Sequence, residues 1–107
     1  MKDSITIDLE EMKVLKEYNS LVKFGAKVKQ MLYYMFAPSG MSMRNFYIKG
    51  KPGDVQLFAT ALGAEKEYMD AFLKNGLDDP SVLNNRFKLS KAISNFERQT
   101  GLKWPMK

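Results

Sequence analysis

Apolar residues at Val28, Met31, Leu32 and Met35 recur at i, i+3, i+4 and i+7, the spacing of one face of an α-helix. On the opposite side Lys13, Lys16, Ser20, Lys23, Lys27 and Gln30 step by three and four. The stretch Leu9–Phe36 is therefore expected to form one long helix, which would set Lys13 and Lys27 about 21 Å apart along its axis. Gly25 is its weak point, because a glycine inside a helix costs about 1 kcal/mol relative to alanine and can split it. Ahead of the helix, Ser4–Asp8 alternates Ile5 and Ile7 with polar neighbours and reads as a short strand. Asp8 and Glu11 form a capping-box-like pair at the helix start. Beyond the helix, Ala37-Pro38-Ser39-Gly40 stops it and Met41–Arg44 continues as a loop. Asn45–Lys49, with Phe46, Tyr47 and Ile48, is the clearest strand in the chain.

Gly50-Lys51-Pro52-Gly53 then turns the chain into a helix beginning near Asp54, with Val55, Phe58, Ala59 and Leu62 facing inward. Gly63 separates it from a helix carrying Ala64, Tyr68, Ala71 and Phe72, closed by Asn75-Gly76-Leu77 as a glycine cap. Asp79-Pro80 starts a short helix. Ser90 caps a last one, in which Leu89, Ala92, Ile93 and Phe96 face inward, and Gly101 ends it. Leu102-Lys103-Trp104-Pro105 is expected to lay the single tryptophan on the core. The predicted fold is α+β and predominantly helical, a single domain over residues 1–107. It has one long N-terminal helix, a small two- or three-stranded sheet and three to four short C-terminal helices. A strand–helix–strand unit crosses over right-handed, which makes the two strands parallel. Two strands leave unpaired edges, so a third is sought at Phe87–Leu89 or Leu102–Trp104, or in a second copy of the chain, a homodimer.

Composition narrows the chemistry. Apolar content of 45% and 13 aromatic residues fit a folded globule rather than a disordered chain. The longest apolar run, Met31–Ala37, is far short of the roughly 20 residues of a membrane span, and the N-terminus has no signal-peptide apolar region. A soluble, cytoplasmic protein with no membrane partner is expected. The chain has no cysteine and no histidine. That removes disulfides, thiolate ligands and the side chain that most often acts as a general base near neutrality. No enzyme, no cofactor and no metal site is expected. Glu65, Glu67 and Asp70 read as a solvated helix face. Ser20-Leu21-Val22-Lys23 matches the S-x-x-K pattern of serine acyl-enzymes by chance, because the partner motifs are missing.

Charge points to a partner. The net charge is +5, and residues 18–53 carry six cations and no carboxylate, whereas residues 54–79 carry two cations and six carboxylates. Residues 80–107 carry six cations and one carboxylate. Either the chain presents a surface of single sign that attracts polyanions, or its acidic and basic blocks face each other. Gly50-Lys51-Pro52-Gly53 is similar to the GxxG loop of KH domains over four residues. Such a loop joins two helices, however, and here Pro52 lacks an amide and Asp54 opposes an anion. An ordinary strand-to-helix turn is the simpler reading. Tyr18, Tyr33, Tyr34 and Tyr47 are interleaved with the cations, the combination that binds single strands. Met41 and Met43 mark a loop able to contact protein.

With its basic, His- and Cys-free composition and the tail Phe96-Glu97-Arg98-Gln99-Thr100-Gly101-Leu102-Lys103-Trp104-Pro105, the chain resembles small accessory proteins of tailed phages. That resemblance implies no particular activity. The residues themselves predict a non-enzymatic nucleic-acid-binding or regulatory protein, holding DNA or RNA through Lys23, Lys27, Lys29, Tyr34, Arg44, Lys49 and Lys51. The alternative is a protein-interaction or assembly module that docks on an acidic protein partner or on itself.

Overall fold

The computed structural model describes residues 5–15, 17–36, 46–76 and 78–105, with side chains omitted for 17–20 and 36. The element order is β1 (Ile5–Asp8), α1 (Leu9–Val14), α2 (Glu17–Phe36), β2 (Phe46–Lys49), α3 (Pro52–Asn75) and α4 (Pro80–Thr100). β1 and β2 pair in parallel, with Ile5 opposite Phe46 and Asp8 opposite Lys49. The alternation is visible in burial: Ile5, Ile7 and Phe46 face the core, and Thr6 and Tyr47 face out. Among the described residues the sheet stays two-stranded. Phe87–Leu89 lies inside α4, and Leu102–Trp104 belongs to no strand.

The expected single helix over Leu9–Phe36 is two helices. Asp8 caps the first, accepting from the amides of Glu10 at 3.0 Å and Glu11 at 3.2 Å. At Leu15 the backbone turns extended, with φ −76° and ψ 155°. The cause is a phase conflict. At 3.6 residues per turn, the stripe of Leu9 and Met12 lies roughly 110° around from that of Phe24, Val28, Met31, Leu32 and Met35. All seven side chains are buried, and one straight helix cannot turn both stripes inward. Gly25 does not break α2. It is buried, and a Cβ there would come 3.3 Å from Cβ of Pro105. Its role is close approach of the C-terminal tail.

Downstream, the expected short helices are two long ones of 24 and 21 residues. α3 runs through Gly63 because Phe58, Ala61, Leu62 and Glu65 keep one buried stripe in phase across it. α4 likewise runs through Ser90, since Val82, Leu89, Ala92, Ile93, Phe96 and Thr100 share one face. The expected ends are otherwise present. Pro52 opens α3, and Gly76, at φ 82°, closes it by donating to the Phe72 carbonyl at 2.9 Å. Asp79 caps α4, and Gly101 ends it in the left-handed region. The expected helix stop at residues 37–40, the loop 41–44 and the Leu77 half of the cap lie outside the described residues.

Four rings tie these elements together. Phe24 of α2, Phe58 of α3, Phe96 of α4 and Trp104 of the tail all lie within 5.5–6.0 Å of one another, centroid to centroid. Trp104 is held by two carboxylates: its backbone amide donates to Glu97 at 2.7 Å and its indole Nε1 donates to Glu65 at 2.8 Å. The tail therefore packs on the core as expected.

Candidate nucleic-acid interface

The N-terminal lysine row does not survive folding intact. Lys13 leaves it, because its Nζ donates to Asp54 at 2.6 Å and to Glu10 at 3.3 Å. Asp54 is 3% exposed at the start of α3, where a negative charge also complements the helix dipole. The Asp54 hydrogen bond, ahead of the opposing effect of burial, raises the Lys13 pKa above its ordinary value. Lys16 and the side chain of Ser20 lie outside the described residues, as does Arg44.

On α2, Lys23 and Lys29 are exposed and Lys27 is half-buried. Lys23 and Lys27 line a shallow groove of about 260 Å³ with Gln30, and Glu11 of α1 shares it. Lys29 points elsewhere: at 3.6 residues per turn it lies about 160° around the helix from Lys27. Tyr34, expected in the row, is half-buried and packs on the core. Its neighbour Tyr33 is the exposed ring at 70%, meeting Tyr34 edge-on at 5.4 Å. Lys49 stands 4.0 Å from Asp8 across the sheet register. Lys51 is exposed at the start of α3, in a turn joining strand to helix. The six of the seven expected residues that are described thus divide between α2 and the β2–α3 corner, and the corner carries charges of both signs.

A second basic face lies on α4, which the sequence reading passed over. Lys88, Lys91 and Arg98 are exposed, and at 3.6 residues per turn they share an arc of roughly 100° with Asn84, Phe87 and Asn95. From Lys88 to Arg98 the arc extends about 15 Å. It contains no carboxylate: the single acid on α4, Glu97, projects from another side and accepts the Trp104 amide. Phe87, 68% exposed, stands at the edge of the arc, and Arg98 donates to Asn95 at 2.6 Å. Both signals were in the sequence. Residues 80–107 carry six cations against one acid, and the inward stripe of α4 fixes which positions face water.

The acids of residues 54–79 do not cover these cations. Asp54 is bonded to Lys13, Glu65 to Trp104, Asp70 pairs with Lys74 at 3.4 Å, and Asp79 caps α4. Among the described residues no carboxylate stands within 4.0 Å of the charged nitrogens of Lys23, Lys27, Lys29, Lys51, Lys88, Lys91 or Arg98. Nor, among them, do three or more carboxylates converge as a metal site would require, and no helix is long and apolar enough to cross a membrane. Compared with known proteins, the chain matches no family model, no curated protein and no solved structure.

Proposed function

We propose that the protein binds nucleic acid without catalysing a reaction, holding phosphates along the outer face of α4 through Lys88, Lys91 and Arg98. The observation that carries this reading is an arc of three exposed cations with an exposed phenylalanine and no acid. Cations that neutralise phosphates release condensed counterions, and an adjacent ring stacks an unpaired base. Lys23 and Lys27 of α2, which share a groove with Gln30, form a second and weaker contact. Binding is largely indifferent to sequence, because neither face offers a fixed pattern of donors and acceptors to base edges.

Fluorescence anisotropy with labelled single- and double-stranded DNA and RNA, titrated from 20 to 200 mM salt, tests this. Three phosphate contacts to a single strand give a log–log salt slope of about −2. Lys88→Glu combined with Lys91→Glu weakens binding by at least tenfold and leaves the fold intact by circular dichroism. Lys23→Glu with Lys27→Glu produces a smaller loss. Absence of binding at the lowest salt, or unchanged affinity in the α4 variant, would refute the assignment.

A second reading has one observation of its own. Phe72, Leu73, Leu83 and Phe87 are exposed by 41–70% around the connection between α3 and α4, and exposed apolar patches mark protein-interaction surfaces. An assembly module, docking on an acidic protein or on itself, would use it. Partners that survive nuclease in a pull-down favour this alternative.

A further inference from the structure

Glu65 carries a charge that its visible role does not need. It is 4% exposed in the middle of α3, and its Oε1 accepts from the Trp104 indole. A glutamine amide oxygen would accept that N–H equally well without desolvating a carboxylate. Among the described residues Glu65 has no lysine or arginine within ion-pair distance. No buried side-chain oxygen among them lacks a partner, so the second oxygen of Glu65 keeps access to solvent. The space it borders is a cleft of about 550 Å³ between α3 and α4, within the range that holds small organic ligands.

The walls are of mixed chemistry. Leu89 and Ile93 supply apolar surface, Tyr68, Ser90 and Ser94 supply hydroxyls, and Arg86 stands on the α4 side. We propose that this cleft binds a small organic molecule bearing a protonated amine, with Glu65 as its counter-ion. The ammonium donates to the free carboxylate oxygen and the adjoining hydroxyls, and the aliphatic part lies on Leu89 and Ile93. A ligand that also carries an anionic group meets Arg86. Burial pushes the Glu65 carboxyl above its ordinary pKa, with the indole hydrogen bond pulling it partly back. Ammonium binding therefore strengthens as pH rises through that raised value.

The chain has one tryptophan, so its single indole N–H resonance reports directly on Glu65. Butylammonium chloride and 4-aminobutyrate are titrated into ¹⁵N-labelled protein, with sodium chloride at matched ionic strength as the control. A saturable shift of the indole resonance with butylammonium but not with sodium is expected. Tighter binding of 4-aminobutyrate than of butylammonium assigns Arg86 as the anion partner; equal or weaker binding overturns that part of the assignment. Glu65→Gln, which keeps an acceptor for the indole, weakens binding at least tenfold while Trp104 fluorescence stays that of a buried ring. No saturable shift in the wild type, or binding within twofold in Glu65→Gln, overturns the proposal.

Discussion

Lys13 and Glu65 have exchanged the roles their surroundings in the sequence suggest. Lys13 belongs by spacing to an exposed row, yet its Nζ is spent on the buried Asp54, 41 residues away. Glu65 belongs by spacing to a solvated acidic face, yet it is buried against an indole from the tail. The sign of the Glu65 effect follows from its raised pKa. Between the ordinary glutamate value of about 4.3 and the raised one, the folded state holds more protons than the unfolded state. Its contribution to stability is therefore present at low pH, is lost as pH rises through the raised value, and is constant above it. Glu65→Gln should gain on the wild type in urea unfolding as pH rises from 4.5 to 8, and a constant difference across that range would contradict a desolvated carboxyl. Neither partner could be named in advance, because no local pattern pairs residue 13 with 54 or 65 with 104.

At the scale of the elements, the phase of the apolar stripe proves a better guide than helix-breaking residues. Gly25 and Gly63 were expected to interrupt helices, and neither does, because the stripe keeps its register across them. The interruption falls at Leu15, where the stripes of α1 and α2 are out of phase, and that conflict is written in the positions of Leu9, Met12, Phe24 and Val28. Glycine matters where the backbone turns left-handed. Gly101 ends α4 at φ 81° and ψ −2°, with open space around a Cβ. Gly101→Ala should therefore destabilise the protein by about 1–2 kcal/mol through backbone conformation alone, read as a lowered urea midpoint at unchanged slope.

For the molecule as a whole, the tail is the closing element. Trp104 touches a ring from each of α2, α3 and α4, so it joins helices that the chain order alone leaves independent. Trp104→Ala removes the largest side chain of that cluster and should cost about 3–5 kcal/mol. Against the roughly 5–15 kcal/mol typical of a small domain, that leaves a marginal fold. The check is thermal unfolding by circular dichroism, and a melting temperature within a few degrees of the wild type would show that the tail is dispensable. The same assembly distributes charge. Engagement of Asp54, Glu65, Asp70 and Asp79 with other groups leaves the outer faces of α2 and α4 to the lysines and arginines.

The sequence by itself determined the mixed α and β character, both strands to within a residue at each described end, and the caps at Asp8, Asp79, Gly76 and Gly101. It also specified the inward-facing positions of α2 and α4, whereas on α3 Phe72, expected to face inward, is 41% exposed. These are local matters of periodicity, backbone conformation and capping, which act over a few residues. Only the tertiary structure decided that Lys13 is paired with Asp54 and that Glu65 is buried against Trp104. Those outcomes depend on which faces meet in space, and pairings across some 40 residues leave no periodic trace in the chain.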